Sequence, residues 1–273
     1  MTVGKFAATR QDIEGVTMKS KLARVLLVMQ SMAFAVPLRA EELKVQTPRG
    51  AFVHVTVDRP APSYGKAPLL VIAPGQGYHK ELPLIKALAS KAAAAGIIVY
   101  RFDWSYFSAD PKAGQPSDDL KNEVEDMQAV IDLVKRDASG DSSRIVLAGK
   151  SLGTLVSYQL FNSNKDYTGL ILMTPLCTEP DSGAAIGETS YPGFTKNSRS
   201  ISIIIGNSDP MCKLAALYDF ARPTGGNISI DVFNGGHSLT VGAAGDTRFS
   251  RINDANMDLS QRPLELIASS GYI

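Results

Sequence analysis

From about residue 51 onward, short apolar runs alternate with segments of helical spacing. Phe52-Val53-His54-Val55-Thr56-Val57 is rich in β-branched residues and predicts an early strand, closed by a turn at Pro60, Pro62 and Gly65. Leu69-Leu70-Val71-Ile72-Ala73 is continuously apolar, as a strand buried on both faces should be. A helix is predicted over 81–95, stopped by Gly96 in the C-cap role, and then a strand over 97–102. Residues 105–116 hold two Pro and a Gly and read as a surface loop. Ser117, followed by Asp118 and Asp119, predicts a helix start with its acids in the first turn. Leu120, Val124, Met127, Ile131 and Val134 continue that helix as one apolar stripe. Further strands are predicted over 144–148, 170–173 and 201–205, a helix over 152–162, a half-exposed last strand over 228–233 and a final helix over 254–269.

Strand and helix in alternation predict the α/β class: a mainly parallel sheet with helices on both faces and no large cap domain. Ligands of such sheets bind at the C-terminal ends of the strands, so chemistry belongs in the loops that directly follow strands.

The N-terminus has a different texture. From Met18 a basic stretch (Lys19, Lys21, Arg24) precedes about twelve mostly apolar residues, then Pro37 and Ala40 before Glu41-Glu42. This is the layout of a secretory signal peptide. It predicts a leader over 1–40, with the start possibly at Met18, and a single domain over 41–273. The mature protein is then periplasmic or secreted, with cleavage after Ala40 in preference to Ala35. The alternative is an amphipathic N-terminal helix packed on the domain, or a residual anchor, with a cytoplasmic location in place of export. The apolar stretch is too short to span a bilayer comfortably, so no stable membrane insertion is expected after leader removal.

Composition adds mainly exclusions. At 44% hydrophobic and 20% charged with net charge +1, the chain has no basic run that would suit nucleic acid. His54, His79, His237, Cys177 and Cys212 lie far apart without zinc-type spacing, and neither a metal nor another cofactor is implied.

The chemistry is carried by Gly149-Lys150-Ser151-Leu152-Gly153, a G-x-S-x-G match between a predicted strand and a predicted helix. That context suits a nucleophile elbow with Ser151 at the tip. The same Gly-Lys-Ser could end a phosphate-binding loop, but Arg144 stands where that motif needs glycine. Gly75-Gln76-Gly77 likewise begins a dinucleotide fingerprint that fails at Lys80. A serine nucleophile needs an acid and then a histidine later in the chain. Asp209 follows the 201–205 strand and His237 follows the 228–233 strand, both where the sheet rule puts functional loops. Asp181 and Asp219 compete with Asp209 as the orienting acid. The oxyanion donors are expected to be the backbone amides of Leu152, at the helix start, and of Gln76, in the glycine-rich loop after the 69–73 strand.

Over roughly residues 50–270 the chain resembles the α/β-hydrolase superfamily, and within it the compact dienelactone-hydrolase-like branch with a serine nucleophile. The matching stretches are Ala73-Pro74-Gly75-Gln76-Gly77, Tyr100-Arg101-Phe102-Asp103, Gly149-Lys150-Ser151-Leu152-Gly153, Gly206-Asn207-Ser208-Asp209-Pro210 and Gly236-His237-Ser238. Pro74 departs from the pattern, since many relatives have His there. The resemblance implies a serine hydrolase acting on a carboxylic ester, thioester or amide of a small molecule. The alternative is a catalytically silent binding protein on the same fold.

Residues 177–198, polar and Gly-rich with Tyr191 and Phe194, are the candidate lid. Cys177 and Cys212 each follow the end of one of two successive strands. A disulfide between them is expected in an oxidising compartment, and two free thiols in the cytoplasm.

Overall fold

Ala67–Ala73 is buried along its whole length and occupies the centre of the sheet, which explains its unbroken apolar run. The computed structural model describes residues 39–62, 65–222 and 228–239. All of the expected leader but Arg39 and Ala40, and the whole helix expected over 254–269, lie outside these residues.

Eight strands form one sheet: β1 (Arg39–Gln46), β2 (Phe52–Arg59), β3 (Ala67–Ala73), β4 (Ile98–Asp103), β5 (Gly140–Lys150), β6 (Tyr167–Met173), β7 (Ser200–Gly206) and β8 (Ile228–Phe233). Their order is β1-β2-β4-β3-β5-β6-β7-β8. β3 through β8 pair in parallel, and β2 is antiparallel to both β1 and β4. The described helices are α1 (Pro83–Ala94), α2 (Ser105–Ala109), α3 (Lys121–Lys135), α4 (Leu152–Ser163), α5 (Gly187–Ser190) and α6 (Leu214–Phe220).

Side chains of a strand alternate between faces, so one apolar run feeds two cores. Leu70, Ile72, Val146 and Ala148 meet Leu84, Ile85 and Leu88 of α1 on one face. Leu69, Val71 and Leu147 meet Met127, Val130 and Val134 of α3 and Val156 of α4 on the other. The α/β class is as the alternation of elements predicts. The chain reverses its order across the sheet between β3 and β5, the place where an open α/β sheet forms its crevice.

Several boundaries differ from expectation. β1 was not foreseen, and it begins inside the expected leader: Arg39 pairs with Arg59 and Ala40 with Asp58. α3 begins at Lys121 rather than near Ser117. Leu120 takes a left-handed conformation before it, and the Ser117 hydroxyl donates to Glu123 at 2.6 Å. The loop over 105–116 contains α2, and α6 is a further short helix. Tyr191 and Phe194, expected on a lid, are instead fully buried. Tyr191 stacks on Phe220 with centroids 5.4 Å apart, and the Tyr158 hydroxyl donates to the Pro192 carbonyl at 2.7 Å. An aromatic cluster buried this way anchors the segment to the core, which removes it as a lid.

Cys177 and Cys212 are joined in a disulfide, with Cα atoms 4.5 Å apart. The expected adjacency of β6 and β7 brings them there. The amides of Cys177 and Thr178 both donate to the Met211 carbonyl, at 3.0 and 2.9 Å.

Candidate active site

β5 ends at Lys150 and α4 begins at Leu152, which leaves Ser151 alone at the turn. Its backbone has φ 52° and ψ −120°, a conformation a serine holds only when its surroundings impose it. The Ser151 amide donates to the Met173 carbonyl at 3.0 Å, and the Thr154 amide donates to the Ser151 carbonyl at 2.8 Å. The flanking glycines follow from close approach: a side chain on Gly149 would overlap the Gly153 backbone, and one on Gly153 would press on the Ala73 and Pro74 carbonyls.

Two loops from neighbouring strands complete the cluster. β7 delivers Asp209, whose side chain is wholly buried, and β8 delivers His237. The Ser151 hydroxyl lies 2.8 Å from His237 Nε2. His237 Nδ1 lies 2.9 and 3.0 Å from the two carboxylate oxygens of Asp209. With Nδ1 as the donor to Asp209, Nε2 is left free to accept the serine proton. The Met211 amide donates to the same carboxylate at 2.9 Å. The sequence rivals lie elsewhere: Asp181 is exposed, and Asp219 is exposed and faces Arg222. Ser151, Asp209 and His237 are thus in contact, as the reading of the sequence places them.

The loop after β3 packs on the elbow. A Cβ built on Gly75 would stand 3.1 Å from that of Ser151, and Trp104 Nε1 donates to the Pro74 carbonyl at 3.0 Å. Gln76 follows on this loop, with its side chain exposed and donating to Gln115 at 2.9 Å. The Leu152 amide heads α4, where backbone donors have no partner within the helix.

One residue was missed by sequence reasoning. Lys150, the variable position of the pentapeptide, is 1% exposed. Its ammonium donates to the His237 carbonyl at 3.1 Å and to the Thr174 hydroxyl at 3.3 Å, and lies 4.6 Å from the centre of the Tyr78 ring. Burial lowers its pKa to about 8, against the opposing pull of the Asp209 carboxylate. The available signal was a lysine ending an otherwise apolar strand. Tyr191 was noticed, but its role differs: its hydroxyl pairs with Thr154 Oγ1 at 2.7 Å and accepts from the Leu176 amide at 2.8 Å. Burial raises its pKa, so it is a neutral phenol tying α4 to the loop after β6.

A serine hydroxyl, an imidazole and a buried carboxylate in this order can perform nucleophilic attack with general-base assistance. Residues 66–262 match the family described as Alpha/beta hydrolase domain. No curated protein matches the sequence. Among solved structures, an alpha-beta serine hydrolase homologue from Coxiella burnetii is 20% identical with TM-score 0.61, covering 80% of this chain and 96% of its own. An esterase from Pyrococcus furiosus is 16% identical with TM-score 0.62, covering 85% and 93%. A serine hydrolase without lid from Xanthomonas campestris is 19% identical with TM-score 0.56, covering 84% and 96%. At these identities the likeness is one of fold. No helix among the described residues is long and apolar enough to cross a membrane.

Proposed function

The chain belongs to the alpha/beta hydrolase family, and from that premise we propose that it is a serine hydrolase cleaving small carboxylic esters through an acyl-enzyme. The observation that carries this reading is the unbroken hydrogen-bonded line from the Ser151 hydroxyl through His237 to buried Asp209. His237 takes the Ser151 proton as Ser151 attacks the carbonyl, and returns it to the departing alcohol. Water then attacks the acyl-enzyme with His237 again as base. Asp209 holds the imidazole in the required tautomer. The Leu152 and Gln76 amides hold the oxyanion in this scheme, supported by the contact of the Gly75 loop with the elbow.

Ester rather than amide chemistry is supported by the esterase among the structural neighbours. Export of the mature enzyme is part of the same proposal, supported by a disulfide of the kind that persists in oxidising compartments.

The experiment is labelling with a fluorophosphonate, followed by a p-nitrophenyl ester series of rising chain length. The proposal expects one label per chain on Ser151 and ester turnover that the label abolishes. A protein that hydrolyses these esters while Ser151 stays unlabelled would refute it.

A further inference from the structure

The geometry points to Lys150 as a positioning residue that fastens the His237 loop over Ser151. This inference rests on the serine-hydrolase reading and adds a residue to it. Three observations carry it. Lys150 Nζ donates directly to the backbone carbonyl of His237, the residue whose placement decides whether Nε2 reaches the serine. The second partner, Thr174, holds φ 49°, a left-handed conformation unusual for a β-branched residue, and its amide is tied to the Ile204 carbonyl at 2.7 Å. Nζ therefore links the loop after β8 to a constrained point after β6, from the last residue of β5. Finally, no carboxylate among the described residues forms an ion pair with it. A buried lysine left without a counter-charge is costly unless something is gained from it.

Among the described residues, the ionisable groups set against Nζ are Tyr78 from the loop after β3 and Asp209 from the loop after β7, while His237 meets it through its backbone carbonyl. Asp209 supports the charge at a distance, while burial lowers the pKa to about 8. Below that pH the ammonium makes a charge-assisted bond to the His237 carbonyl; above it a neutral amine makes a weaker one. Turnover should step down as the pH rises through about 8, without loss of substrate binding.

The test compares wild type, Lys150→Met and Lys150→Gln, with kcat and KM for p-nitrophenyl acetate taken separately across the pH range. Fluorophosphonate labelling of the wild type and circular dichroism of all three accompany it. Met removes both charge and donor; Gln keeps a donor and also serves should Met fail to fold. For Met the expectation is a fall in kcat of about 10- to 100-fold at neutral pH, KM within about twofold, and no step near pH 8. Gln should fall between Met and wild type, also without the step. Folded variants with wild-type kcat, or with the step intact, would overturn the role of Lys150 and leave the serine mechanism standing. A wild type that is active but unlabelled at Ser151 would overturn the serine mechanism and the Lys150 role with it.

Discussion

Among the described residues, cations are buried in two places and treated in opposite ways. At the antiparallel edge, Arg101 on β4 donates to Asp58 on β2 at 2.6 Å and also pairs with Glu81. Lys80 beside it bonds Glu42 at 3.0 Å and the Thr56 hydroxyl at 2.7 Å. Every charge there has a counter-charge. At the elbow, Lys150 has a carbonyl, a hydroxyl and a ring face, and no carboxylate in contact. The pKa directions follow: carboxylates raise that of Arg101 although burial opposes them, whereas burial lowers that of Lys150. Saturated pairing is how a fold tolerates buried charge. Incomplete pairing persists where the group has another task.

If that contrast is right, changes at the elbow should act on rate and changes at the edge on stability. The largest effect is expected from Ser151→Ala, which should lower kcat by about a million-fold if the triad acts as a unit. Its melting temperature should match wild type or exceed it, because alanine removes no packing and leaves no buried donor. A kcat within tenfold of wild type would place the nucleophile elsewhere. Asp209→Asn should fold and lose about 10⁴ in kcat, because His237 would no longer be held in the productive tautomer. Equal activity of this variant, with a large loss in Asp181→Asn, would contradict the observed pairing.

Arg101→Met tests the other side. It leaves Asp58 facing the protein interior without its partner. About 3 kcal/mol of stability should be lost by urea unfolding, at the low end for a buried pair because Glu81 is 39% exposed. Turnover per folded molecule should not change. A loss of kcat without a loss of stability would reverse the comparison.

The two regions should also separate by pH. Glu81 has its pKa lowered to about 2, by its bonds to Arg101 and Lys86 against the opposing effect of burial. A carboxylate so lowered stabilises the fold above its unfolded value of 4.5 and loses that contribution as pH falls toward 2. Lys150 has the same slope in a higher window, although its lowered pKa costs stability at neutral pH where that of Glu81 adds to it. Between pH 8 and 10.5 the unfolded lysine holds its proton while the folded one has lost it, so stability should rise with pH across that window. Urea midpoints should show a shallower acid loss in Glu81→Gln and no alkaline gain in Lys150→Met. These are the smallest of the expected effects.

The comparison also explains what was legible in the sequence. Central strands such as β3 and β7 were plain because burial on both faces demands unbroken apolar runs. β1 was not, because Arg-Ala-Glu-Glu-Leu-Lys-Val-Gln is an edge strand with one exposed face, and its first two residues, Arg39 and Ala40, read as the end of a leader. The start of α3 was misplaced because Ser117 and two acids imitate an N-cap, while the chain makes one more turn through left-handed Leu120. Tyr191 and Phe194 looked like lid residues because Gly, Ser and Pro surround them, and only packing against Phe220 shows them to be core. Ser151, Asp209 and His237 were legible because each stands directly after a strand in the required order. Lys150 reads in the sequence only as the variable position of the elbow or as the lysine of a phosphate loop that fails at Arg144. Its importance lies in a bond to a residue 87 positions away, which no local pattern encodes.

The central claim is that Ser151 itself carries the acyl group. Wild-type protein mixed with p-nitrophenyl acetate, quenched in acid within the first turnover and digested, should give a Ser151 peptide bearing one acetyl group. Fragment ions should assign it to Ser151 and not to the adjoining Lys150, and Ser151→Ala should give no acetylated peptide there. An active protein whose acetyl group maps to another residue, or whose Ser151 peptide is unmodified while a burst of p-nitrophenol is released, would contradict the account.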